Sequence, residues 1–81
     1  MGLELVDFIL SLEKAFGIDI PDRDAAAFRT PRQTVDYLVA RADGRWTRAE
    51  IERIVCDTVM MEFGITNVPL DADFVRDLGA R

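Results

Sequence analysis

Few side chains in this 81-residue chain could act as nucleophiles. There is one serine, Ser11, one cysteine, Cys56, and no histidine to serve either of them as a base. Histidine-dependent triads are therefore excluded, and with them most acyl-transfer enzymes of the usual kind. A single cysteine also rules out an internal disulfide framework and a cysteine-rich zinc site. No glycine loop suited to cradling phosphate accompanies them, so no enzyme activity, no metal and no resident cofactor are expected. Ser11 falls inside a helical pattern near its apolar stripe, which reads as a small packing residue. Cys56 falls off the apolar stripe of its own segment, which reads as a partly buried, unreactive thiol.

Carboxylates are plentiful. Fifteen Asp and Glu against ten Lys and Arg give a formal net charge of −5. Residues 1–28 hold six acidic and two basic residues, so −4 of that charge lies in the first third of the chain. Glu4, Asp7, Glu13, Asp22 and Asp24 carry most of it. An acidic surface of this kind argues against nucleic acid, whose phosphates need a basic footprint. It matches a basic protein surface, where it would act on steering and specificity more than on affinity. For any one carboxylate, an ordinary solvated position is the competing reading.

The elements that must position these groups can be read from periodicity and caps. Leu5, Phe8, Ile9, Leu12 and Phe16 recur at helical spacing and predict a helix over 3–16, ended by Gly17 as a left-handed stop. Ile18 to Pro21 reads as a short extended connection. Asp22 is expected to cap a short helix reaching Phe28. Thr30-Pro31-Arg32-Gln33 combines a Thr cap, a first-position proline and a Gln three residues on, which opens a helix running to about Arg41. Ala42 to Thr47 is a polar connector in which Trp46 is expected to pack over helix ends. Thr47-Arg48-Ala49-Glu50 is a second capping box, and the helix it opens carries Ile51, Ile54, Val55, Thr58, Val59 and Phe63 to Gly64. Ile65 to Arg81 has no sustained period and reads as a structured loop, with one helical turn around residues 72–76.

No strand pattern competes, and the length allows one small domain. The fold class is all-α, a three-to-four-helix bundle. With 49% hydrophobic and 31% charged residues the chain has the composition of a soluble globular protein. No apolar run approaches the roughly 18 residues of a membrane span. The first residues lack the basic and apolar regions of a signal peptide. Met1-Gly2 is followed at position 6 by Val6, where a myristoylation signal wants Ser or Thr. A cytoplasmic protein without membrane contact is the expectation.

Residues 3–39 resemble helices II, III and IV of the acyl carrier protein family. Glu4-Leu5-Val6-Asp7, then Leu12-Glu13-Lys14-Ala15-Phe16-Gly17-Ile18-Asp19-Ile20-Pro21-Asp22, and then Thr30 to Leu38 carry the resemblance. Ile51 to Gly64 resembles the family's first helix, and Val68 to Ala80 its long first loop. The order is reversed, so the chain resembles a circularly permuted carrier protein. Residues 1–41 stand for helices II–IV, 42–47 are the connector, and 48–81 stand for helix I and the loop after it. The connector length suits neighbouring helices, and permutation is tolerated where termini are close and exposed.

In the family, 4′-phosphopantetheine is borne on the serine of an Asp-Ser-Leu motif. Aligning Leu3 with the motif's Leu puts Gly2 at the serine and Met1 at the aspartate, so the attachment site is expected to be absent. The resemblance further implies that Leu3, Glu4, Asp7, Leu10, Glu13, Asp22 and Asp24 face basic surfaces of synthases, ligases and transferases. Ile9, Leu12, Phe28, Val35, Leu38, Ile54, Val55, Val59 and Phe74 are either the lining of an acyl pocket or a closed core. Without a tethered chain, the closed core is the expectation. A closed monomer is expected, with a swapped dimer as the alternative. The function expected is a carrier-like binding module that is not itself a competent carrier. The alternatives are a non-carrier interaction or regulatory protein on the same fold, or an engineered or rearranged permutant of a functional acyl or aminoacyl carrier.

Overall fold

The computed structural model describes residues 3–79. Four helices follow in order: α1 (Leu3–Phe16), α2 (Asp22–Ala26), α3 (Pro31–Arg41) and α4 (Arg48–Phe63). Among the described residues there is no strand. The all-α bundle expected from periodicity is what the chain forms, and its three long helices have the bounds that the caps and glycines implied.

α1 places Phe8, Leu12 and Phe16 inward at four-residue steps, and all three are buried. Glu4 in its first turn and Lys14 in its last complement the helix dipole. Gly17, at φ 66°, ends the helix in the left-handed region that a side chain would resist.

α3 and α4 each begin on a complete capping box. Thr30 accepts from the Gln33 N–H, and Gln33 returns to the Thr30 N–H. Thr47 and Glu50 repeat the arrangement at the head of α4. The connector between them turns through two successive left-handed residues, Asp43 at φ 55° and Gly44 at φ 80°. Trp46 then lies edge-on to Phe16, ring centroids 5.3 Å apart, so it packs against the end of α1 as anticipated.

α2 differs from its expected form. It stops at Ala26 rather than Phe28, and Pro21 rather than Asp22 occupies the cap position, without a side-chain cap bond. Pro21, at φ −58° and ψ 147°, holds the extended backbone conformation of a residue that precedes a helix.

α4 packs on both α1 and α3 of its own chain. The shared core is Phe8, Leu12, Phe16, Ile20, Phe28, Val35, Leu38, Ala42, Ile51, Val55, Val59 and Phe74. Buried hydroxyls are satisfied locally: Thr34 Oγ1 donates to the Thr30 carbonyl at 3.2 Å and Thr58 Oγ1 to the Ile54 carbonyl at 2.7 Å. Among the described residues no buried side-chain nitrogen or oxygen lacks a partner.

The segment after α4 wraps back over the head of α3. The Arg32 N–H donates to the Leu70 carbonyl at 2.9 Å, and the Phe74 N–H to the Arg29 carbonyl at 2.8 Å. Its helical turn closes a little later than residues 72–76, with the Asp77 and Leu78 N–H groups both donating to the Asp73 carbonyl. Phe74 reaches the core between Phe8 and Phe63, at 5.3 and 5.6 Å between ring centroids.

Candidate functional site

The sequence-derived site residues divide into three groups. Leu12, Val35, Leu38, Val55, Val59 and Phe74 are fully buried in the core, and Ile54 is half-buried against it. These seven form a closed interior. Ile9 and Phe28 border a groove, Phe28 being at the same time a buried member of the core.

That groove has a volume of about 840 Å³ and runs between α1 and α2. Leu5, Val6, Ile9 and Leu10 form the α1 wall. Ala25, Ala26 and Phe28 form the opposite wall, with Ile20 and Val75 at its edges. Val6, Leu10 and Val75 are large apolar residues left 42%, 50% and 61% exposed, so the groove opens onto an apolar rim. Glu13, Asp22 and Arg29 supply the charged part of its lining. Periodicity alone identifies the α1 stripe but not which of its residues border a gap, because that depends on how far α2 stands from α1. Leu5, Val6, Ala25, Ala26 and Val75 were missed for this reason.

The carboxylates also divide. Glu13 Oε2 accepts the Ile20 N–H at 2.8 Å, tying the end of α1 to the segment before α2. Asp24 Oδ2 accepts the Tyr37 hydroxyl at 2.8 Å. Both are already engaged inside the chain. Asp7 and Asp22 are exposed, Glu4 is half-buried, and among the described residues none of the three makes an ion pair. Leu3 opens α1. Gly2 and Met1, aligned with the family's attachment motif, lie outside the described residues.

Ser11 Oγ donates to Glu62 Oε2 at 3.0 Å, bonding α1 to α4 from a half-buried position. A hydroxyl so placed has a structural partner, and nothing around it resembles an attachment loop. Ser11 is the only serine of the sequence. Burial pushes the Cys56 thiol up, and Glu52 and Asp57 push it the same way, which keeps the thiolate scarce. Among the described residues no group of three or more His, Cys, Asp and Glu side chains is placed to hold a metal ion. No helix among them is long and apolar enough to cross a membrane.

A second set of polar contacts clasps the last segment to the head of α3. Arg32 Nε donates to Asp71 Oδ1 at 2.6 Å, which holds the Asp71 carboxyl below the usual range. The buried Asp73 carboxylate is held down first by the Arg76 N–H, then by the Val75 N–H and Arg29. Burial and the bond to Asp24 push the Tyr37 phenol up.

The site thus joins an apolar groove to an acidic helix, and the first half of the chain has recognisable relatives. Residues 3–38 match the family model described as a phosphopantetheine attachment site. Over 38 residues the chain is 49% identical to an acyl carrier protein of Rubrobacter xylanophilus, covering 47% of each. It is 44% identical over 37 residues to an acyl carrier protein of Syntrophobacter fumaroxidans, covering 46% of each. It is 47% identical over 37 residues to acyl carrier protein 2 of Pseudomonas aeruginosa, covering 46% of this chain and 47% of that one. The chain thus spans about half the length of the curated relatives it matches. No solved structure matches.

Proposed function

We propose that this chain is a carrier-protein-like binding module in circularly permuted order. Residues 1–41 stand for helices II–IV of the family and residues 48–81 for its first helix and long loop. Gly2 takes the place of the modified serine, so the module recognises carrier-dependent enzymes without itself bearing phosphopantetheine.

One observation carries the permuted reading. The later half docks on the half that the family model matches, α4 against both α1 and α3 and Phe74 between Phe8 and Phe63, so both halves share one core. The exposed carboxylates of Asp7 and Asp22, beside the apolar rim of Val6 and Leu10, form the recognition face for a basic enzyme surface. Its place is the cytoplasm.

Intact mass after incubation with coenzyme A and a broad-specificity phosphopantetheinyl transferase tests the non-carrier role. The expected result is an unchanged mass. A gain of one phosphopantetheine on the native chain overturns the reading of Gly2 and directs attention to Ser11.

A further inference from the structure

α2 is held to the rest of the protein differently from the long helices. It has five residues, none of them buried. Its backbone bonds are local: Asp24 and Ala25 donate to the Pro21 carbonyl, Ala27 to Asp24 and Phe28 to Ala25. A helix this short has little stability of its own in water. Among the described residues one side-chain hydrogen bond ties it to another element, from the Tyr37 hydroxyl to Asp24 Oδ2 at 2.8 Å.

Arg41 reinforces the polarity of that bond, which the acceptor-only carboxylate of Asp24 already sets. Its Nη1 donates to the Tyr37 hydroxyl oxygen. A guanidinium only donates, so the Tyr37 O–H is left to point at Asp24. Nη2 of the same arginine donates to the Asp19 carbonyl at 3.0 Å. The end of α3 therefore grips α2 through Tyr37 and the segment leading into α2 directly. The Tyr37 ring also meets Phe28 edge-on at 5.1 Å, just beyond the helix.

We propose that Asp24, Tyr37 and Arg41 form a latch that holds α2 as the movable wall of the groove, so that losing the latch lets α2 swing while α1, α3 and α4 stay folded. The α1 wall is fixed by packing on α4. Within α2 itself no residue is buried, and of the two groove-lining alanines Ala25 is only partly packed against the core. Ile20 and Phe28, buried on either side of α2, are the apolar pins about which it moves. The latch concerns α2 alone and does not depend on what occupies the groove or which partner is bound.

Native-state amide hydrogen exchange on the whole chain tests it without any ligand. Tyr37→Phe keeps the ring against Phe28 and removes only the hydroxyl. The Ala25, Ala27 and Phe28 amides are expected to exchange about tenfold faster, as befits a lost hydrogen bond to a charged group. Core amides of α1, α3 and α4 keep their rates. Arg41→Gln is expected to accelerate the same three amides. Unchanged rates at Ala25, Ala27 and Phe28 in both variants would overturn the latch. Equal acceleration in all four helices would overturn it too, reducing the bond to an ordinary share of global stability.

Discussion

Asp73 accepts both Nε and Nη2 of Arg29 on a single carboxylate oxygen, Oδ2, each at 3.2 Å and across 44 positions of chain. Its other oxygen, Oδ1, accepts the Val75 and Arg76 N–H groups at 2.9 Å. Asp77 in turn accepts the Asp73 N–H at 2.8 Å. One buried carboxylate thus shapes its own turn and fastens that turn to Arg29, two residues before α3. The result is that Phe74 is aimed into the core.

The Asp73 carboxyl is held below its ordinary value, so folding favours its charged form. That contribution is fully present above the titration range of an unfolded aspartate and is lost as pH falls through the depressed folded-state value. Asp71, held down by Arg32, and Glu50, held down by the Thr47 backbone, act in the same direction. Urea midpoints should therefore fall from neutral pH towards about pH 3. Asp73→Asn should be less stable than the native chain at neutral pH, with the gap closing as pH falls. A gap that stays constant across the series would contradict this assignment.

Phe74 should be the costliest single truncation in the last segment. Phe74→Ala removes a buried ring and leaves a cavity between Phe8 and Phe63, worth about 3–5 kcal/mol. Phe74→Leu, which keeps most of the volume, should cost about 1 kcal/mol. Equilibrium urea denaturation reads both. If the Ala variant lost no more than the Leu variant, the segment would not be part of the cooperative core.

Each capping box should be separable from the core. Thr47→Ala and Thr30→Ala should each lower the unfolding free energy by about 1 kcal/mol, with helix content otherwise retained. Because the two boxes lie at opposite ends of α3 and share no residue, the double variant should show additive losses.

On the recognition face, Asp7→Arg with Asp22→Arg should slow association with a carrier-dependent enzyme by about tenfold at low salt and much less at high salt. Surface plasmon resonance at two ionic strengths measures it. Reversing Glu13 instead should disturb folding as well as binding, since its carboxylate holds the Ile20 amide. An association rate indifferent to the Asp7 and Asp22 reversals would remove the acidic face from the proposal.

The helices were legible because their signals are local. Thr30 with Gln33, and Thr47 with Glu50, hold everything a capping box needs within four residues, and the bounds of α3 and α4 followed. Trp46 was also read correctly as a packing residue, since a lone aromatic beside helix ends has few other places to go. What escaped was set by distance in the fold. Asp24 counts as one more acidic residue in composition, and only its approach to Tyr37 reveals it as an acceptor already in use. Glu13 is similarly spent on Ile20. Ile9 and Leu12 share one stripe, yet Leu12 is sealed by α4 while Ile9 faces the gap before α2. Periodicity ranks both alike, and the angle between helices separates them.

The tight connector through Asp43 and Gly44 has a consequence for chain entropy. It makes α3 and α4 an antiparallel pair joined by a handful of residues, whereas the Ser11–Glu62 bond between α1 and α4 spans 51 positions. Closing the longer loop costs roughly 2 kcal/mol more than closing the short one. The α3–α4 hairpin is therefore the cheapest part of the bundle to assemble. α1 is the helix whose departure returns the most freedom to the chain.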